Sequence, residues 1–303
     1  MVRDITNIAA SVHQRLLSMA RATGRPFNEL LQRFAIERFL YRLSKSRHAD
    51  RFVLKGALML SVWGGAASRP TKDIDLLGRI DNSLESIAQA MCDVCDVDVQ
   101  EDGMVFDAES VTVARITEEA EYQGVRVRFE AALGNARVSM QVDIGIGDVL
   151  FPQPQDIKYP TLLDFPSARL KGYAMESSIA EKFHAMVILG ILNSRMKDFY
   201  DIWMLSRTFD FAGEALAEAI EKTFEARHTE LAAETTVFGP SFANDGGKQK
   251  QWAAFVRRSN LGDAPGDFSM VAEAVVLFLK PIAQALAVGG AFSGMWKAPG
   301  PWR

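Results

Sequence analysis

Lys55-Gly56-Ala57-Leu58-Met59-Leu60-Ser61-Val62-Trp63-Gly64-Gly65-Ala66-Ala67-Ser68-Arg69-Pro70-Thr71-Lys72-Asp73-Ile74-Asp75 is the stretch from which the fold is read. A glycine turn opens a helix, a short polar loop follows, and two aspartates then stand two apart on a strand. Side chains two apart on a strand share a face. Asp73 and Asp75 can therefore grip one divalent cation while Ile74 and Leu76 face the core. Magnesium takes oxygen ligands and is usually held by one or two carboxylates plus substrate phosphates. A glycine at a helix start lets backbone N–H groups approach those phosphates. The pattern points to nucleotide chemistry.

Working outward, Phe52-Val53-Leu54 is a short strand that delivers Lys55-Gly56 into the turn. Residues 4–47 read as helices, with Ile8, Val12, Leu16 and Met19 at helical spacing and Gly24-Arg25-Pro26 as punctuation. A further helix is expected over 84–92. Val111–Ile116, Val125–Glu130 and Val138–Ile144 alternate apolar and polar residues, with Gly124 and Gly134-Asn135 at the turns. They predict neighbouring, antiparallel strands. After Pro160 the chain reads as mostly helical, with helices near 177–193, 197–208, 212–235, 250–258 and 269–288. The spacing thus predicts four parts: a helical segment over 1–50, an α/β core over 51–160, a helical domain over 161–290 and a tail over 291–303.

A third carboxylate is expected if two already hold a catalytic metal. Asp143 is the candidate, on the face of its strand opposite Val142 and Ile144. Its role would be to share the metal and accept the proton of an attacking hydroxyl. A second cluster lies on two helices. Ser178 and Glu181 have the spacing of a capping box. Lys182 falls on the apolar face with Ile179, Met186 and Leu189, where its ammonium needs a negative partner. Triphosphate oxygens would serve; so would an ion-pair network with Asp198 and Asp201, one turn apart, and Arg195. A lysine snorkelling at the edge of the face is the structural alternative. Thr71 and Lys72, just before the aspartates, could donate to a phosphate. Walker, kinase and nucleophile-elbow signatures are absent from the sequence.

Composition sets bounds on the rest. The chain has 303 residues, 48% hydrophobic and 24% charged, as in soluble globular proteins, and a net charge of −4. Between Arg21 and Lys55, however, nine Lys or Arg face three acids, either a polyanion footprint or a solvated helix face. No apolar run approaches the ~20 residues of a membrane span, and residues 1–5 lack a secretion pattern, so a cytoplasmic location and no membrane partner are expected. Cys92-x-x-Cys95 has no second ligand pair and reads as two incidental thiols rather than a redox or zinc site.

With these residues quoted, the chain resembles the AbiEii-type nucleotidyltransferase toxins, which include the MenT toxins and belong to the polymerase-beta-like superfamily. The matching stretches are Ala35–Leu43, Phe52–Leu58, Arg69–Leu76, Val142–Asp148, Ile179–Ala185 and Lys197–Asp201. They run in the family's order over about residues 35–205. The resemblance implies an α+β fold, with a nucleotidyltransferase-type mixed sheet, a helical N-terminal segment and a helical C-terminal domain. It implies transfer of a nucleotide from a nucleoside triphosphate with Mg2+ and release of pyrophosphate. In members of known target the acceptor is the 3′ end of tRNA, which stops translation. Such toxins are encoded beside an antitoxin, and some act in abortive infection against phage. Carried over, Asp73, Asp75 and Asp143 hold the metal. Lys55, Gly56, Thr71, Lys72, Lys182 and Asp198 bind the nucleotide, and Lys182 and Asp201 join the three aspartates as catalytic residues. Ala57 departs from the glycine or serine of many members, and Thr71 keeps the hydroxyl of a serine. Alternatives within the same residues are a transferase acting on a small molecule or a protein hydroxyl, and a non-catalytic nucleotide-binding module.

Overall fold

A computed structural model describes residues 7–64, 71–116, 124–147 and 150–303. Arg69, Pro70 and Asp148 of the motifs above, and residues 1–5, lie outside them. The chain divides into two units. The first takes the chain up to Trp63, then from Thr71 to Gly147 and Gln155–Gly172; the second takes Tyr173–Arg303 with a short segment that includes residues 150–154.

In the first unit, α1 (Ile8–Thr23) is capped by Asn7, whose side chain accepts from the Ala10 N–H at 2.9 Å, and it stops at Gly24 with φ +69°. Then come α2 (Phe27–Lys45), β1 (Phe52–Lys55), the five-residue α3 (Leu58–Val62), β2 (Asp73–Gly78) and α4 (Leu84–Cys95). The meander β3 (Met104–Ile116), β4 (Gly124–Leu133) and β5 (Ala136–Ile146) follows, and the short strands β6 (Gln155–Lys158) and β7 (Arg169–Gly172) close the unit. The seven strands form one mixed sheet in the order β3-β4-β5-β2-β1-β7-β6. Gly134-Asn135 is a two-residue hairpin turn, its first residue at φ +58°, so Leu133 faces Ala136. Two strands lie beyond the expected set: β6 and β7 are four residues each, two of the four charged in each, and carry no clear alternation.

The apolar face of the sheet is set by period-two alternation. Ile74, Leu76, Val142, Ile144, Val125 and Val127 are fully buried in one core with α2 and α4 residues. Phe39 of α2 stacks among Phe106 and Phe129, with ring centroids at 5.8 and 5.0 Å. Truncating such a buried ring typically costs about 3–5 kcal/mol. This packing fixes the strands that carry the aspartates and turns Asp73, Asp75 and Asp143 to the opposite face.

The second unit comprises α5 (Met175–Leu189), α6 (Met196–Thr208), β8 (Phe211–Ala212), α7 (Gly213–Ala226), α8 (Pro240–Ala243), α9 (Gly246–Ser259), α10 (Phe268–Ala287) and β9 (Met295–Trp296). The tail packs: Trp296 is buried, donates its indole N–H to the Ser206 carbonyl at 2.6 Å, and meets Phe278 and Trp302. The expected absence of a 20-residue apolar run needs correction. By length and composition α10 could cross a bilayer; its Phe268, Val271, Val275, Phe278 and Ile282 are buried within the unit, while Met270 and Leu277 are exposed.

Candidate functional site

β2 and β5 run parallel in a register that sets Asp75 opposite Asp143 and Asp73 opposite Gln141. Neighbouring strands lie about 4.8 Å apart, so the three aspartates share one patch of the polar face. Asp73 is exposed and Asp75 half-buried. On the other side of β2, Lys55 of β1 pairs with Asp75 in antiparallel register. The next residue, Gly56, takes φ +69°, and a Cβ there would clash with the Asp75 side chain. The glycine is required twice, for its backbone and for room beside a site carboxylate. Thr71 donates its hydroxyl to the Asp73 carbonyl at 3.3 Å, and Lys72 is exposed beside it.

Sequence reasoning missed one residue here. Arg126 of β4 is the cross-strand neighbour of Asp143 and holds both its oxygens, Nε to Oδ1 at 2.8 Å and the terminal nitrogen to Oδ2 at 2.9 Å. Arg128 donates to Gln141 at 3.2 Å, and Gln141 to Asp143 at 3.4 Å. The signal was present: counting outward from the two-residue turn pairs Arg126 with Asp143.

Lys182, Asp198 and Asp201 meet in the second unit. The Lys182 ammonium lies 2.8 Å from Asp198 and 2.9 Å from Asp201, and Arg195 reaches Asp198 at 3.5 Å. Of the partners weighed for this lysine, the ion-pair network is the one present. Burial would raise the Asp198 pKa, but the charges of Lys182, Arg195 and Lys197 outweigh it and hold the carboxyl below its usual value. The capping box is not formed. The helix starts at Met175, Ser178 is buried inside it, and Ser177 donates to the Phe151 carbonyl at 2.8 Å. Glu181 instead accepts from the Tyr173 hydroxyl at 2.9 Å. His184 is a satisfied neighbour: Arg227 donates to its Nδ1 at 3.1 Å, which leaves Nε2–H to bond Thr229 at 2.8 Å.

The basic segment of residues 21–55 is not one continuous surface. Arg42 is buried and paired with Asp102 at 2.7 and 3.1 Å, and Arg38 is buried and donates to the Pro166 carbonyl at 2.7 Å. Arg25, Arg33 and Arg47 pair with Glu29, Glu37 and Asp93. Both thiols are unpaired and sit at the end of α4, and burial pushes the Cys95 thiol up to about 12.

A family model described as "Nucleotidyl transferase AbiEii toxin, Type IV TA system" matches residues 38–275. The chain belongs to the AbiEii family. This makes it a nucleotidyltransferase toxin of a type IV toxin–antitoxin system, and the matched span contains every aspartate and lysine of both clusters. Among solved structures, MenT4, a nucleotidyltransferase toxin from Mycobacterium tuberculosis H37Rv, superposes with a TM-score of 0.53 at 18% identity, covering 92% of this chain and 98% of that one. JHP933 from Helicobacter pylori gives a TM-score of 0.48 at 12% identity over 86% and 92%. No curated protein matches the chain. The mixed sheet, the helical N-terminal segment and the helical unit are those the resemblance implied.

The candidate site suits a divalent cation by its donor set. Asp73 and Asp75 offer hard oxygen donors on one face, beside a glycine cradle that a Cβ would fill, and magnesium needs only one or two carboxylates plus phosphate. Among the described residues no group of three or more His, Cys, Asp or Glu is disposed to hold a metal ion as it stands. Asp143 lies against the Arg126 guanidinium instead.

Proposed function

We propose that this toxin transfers a nucleotide from a nucleoside triphosphate to the 3′ end of tRNA, with Mg2+ as cofactor and pyrophosphate as the second product. The observation that carries the reading is the in-register face of Asp73, Asp75 and Asp143 with Gly56 folded against it. Asp73 and Asp75 would hold the magnesium, with Asp143 as the third ligand; such an ion stabilises charge on the reacting phosphate oxygens. Asp143 accepts the proton of the acceptor hydroxyl as its oxygen attacks the α-phosphate and the bond to pyrophosphate breaks. Lys55, Gly56, Thr71 and Lys72 bind the nucleotide. Lys182, paired with Asp198 and Asp201, is the lysine that the family resemblance assigns to triphosphate charge. A cognate antitoxin is the expected protein partner, the cytoplasm the expected compartment, and abortive infection against phage the expected setting.

The test is transfer to total tRNA by the wild type and by Asp73→Ala, each with Mg2+. Activity from a folded Asp73→Ala protein would remove the metal assignment. The buried Arg38 and Arg42 keep the acceptor open to a small molecule or a protein hydroxyl. Salt dependence separates these, because RNA binding weakens steeply as counterions compete.

A further inference from the structure

We infer that Arg126 is a positioning residue that gates Asp143, holding it away from the divalent cation until a triphosphate draws the guanidinium off. The inference rests on the reading of Asp143 as a metal and base residue. Arg126 and Asp143 are direct neighbours across β4 and β5, and their fork-to-carboxylate pairing engages both oxygens at 2.8 and 2.9 Å. Both side chains are partly shielded, at 26% and 19% exposure, so the pair is screened less than an ordinary surface pair. Gln141, itself tethered by Arg128, adds a second donor to Asp143. Both Asp143 oxygens are therefore already engaged by the guanidinium, from the β4 side, when a cation comes to be shared between Asp75 and Asp143.

Electrostatics turns this placement into a coupling. A doubly charged ion drawn to Asp143 meets the unit charge of Arg126 about 5 Å away. Even at the dielectric constant of water, that repulsion weakens binding on the order of tenfold. A triphosphate relieves the conflict, because guanidinium pairs with phosphate in the same two-point manner as with carboxylate. Arg126 then exchanges Asp143 for phosphate oxygen, and Asp143 becomes available to the cation. Triphosphate and cation would each tighten the binding of the other. No bond is made or broken in the exchange.

The experiment is a titration with Mn2+ alone, followed by electron paramagnetic resonance, on the wild type, Arg126→Met and Arg126→Met/Asp143→Asn. Arg126→Met is expected to bind Mn2+ roughly tenfold or more tightly than wild type, and Asp143→Asn to erase that gain. Arg126→Lys keeps the charge without the fork and should fall between the two, which provides a reading if Arg126→Met folds poorly. Equal affinity in wild type and both Arg126 variants overturns the gate while leaving the carboxylates as metal ligands. A gain that survives Asp143→Asn overturns it as well. No Mn2+ binding by any of the proteins removes the metal reading and the gate together.

Discussion

Replacing Lys182 with methionine would leave Asp198 and Asp201 without the ammonium that joins them. The two carboxylates are nearly inaccessible, at 5% and 0% exposure, and the lysine itself is at 12%. Arg195, 3.5 Å from Asp198, is the other cation paired with that carboxylate. Removing one partner from a buried ion pair typically costs about 3–5 kcal/mol, because the remaining charge stays buried with less to compensate it. At ~2–4 °C per kcal/mol for a domain of 150–250 residues, the melting temperature should fall on the order of 10 °C. The pH dependence has a defined sign. Asp198 is held below its ordinary value of 3.8 in the folded state, so its contribution is present above that value and lost as pH falls through the lower folded one. In Lys182→Met the largest part of that advantage is gone, with Arg195 and Lys197 remaining, so the stability gap to wild type should be widest at neutral pH and shrink in acid. Denaturant melts of both proteins between pH 3 and pH 8 measure it. A variant within ~0.5 kcal/mol of wild type at neutral pH, the usual range for inert surface changes, would refute the network's structural role.

Three further outcomes follow from single residues. Gly56→Ala forces an L-residue to φ +69° and a Cβ against Asp75; transfer should fall on the order of a hundredfold, as expected for a site group displaced by ~1 Å, and unchanged kinetics would show that the carboxylate has room. Glu37 is almost fully buried, and burial, tempered by the Leu162 N–H and by Arg33 and Arg38, raises its pKa to about 7. Its folded form holds a proton that the unfolded form has lost, so wild type should lose up to ~3 kcal/mol relative to Glu37→Gln as pH rises from about 4.5 to 7; melts showing no such slope would contradict that protonation. Cys95, pushed up to about 12 by burial, should resist iodoacetamide at neutral pH until denaturant is added, and mass spectrometry of the native protein would reveal a reactive thiol if the assignment were wrong.

The meander was legible because alternation and a two-residue turn are local signals, and they dictate register as well as strands. Asp73, Asp75 and Asp143 share a face for the same reason, and Ile74, Leu76, Val142 and Ile144 fill the core as expected. The pairing of Arg126 with Asp143 required that register to be followed across the turn. β6 and β7 carry no clear apolar alternation, so only the sheet edge they complete identifies them. The capping box failed because Ser177 and Ser178 find their place inside a helix that begins earlier, at Met175. The basic segment misled for a different reason. Arg38 and Arg42 are satisfied by Pro166 and Asp102, and nothing local to α2 discloses partners that far along the chain.

The central claim is that the face bearing Asp73, Asp75 and Asp143 moves a nucleotide, and the position of a radiolabel tests it most directly. The wild-type toxin would be incubated with total tRNA, Mg2+ and each nucleoside triphosphate in turn, labelled once at the α- and once at the γ-phosphate. The account predicts α-label in tRNA, γ-label in pyrophosphate, and neither product with Asp73→Ala. Label from the γ-phosphate on the acceptor, or no transfer to tRNA from any of the four triphosphates by folded protein, would contradict it.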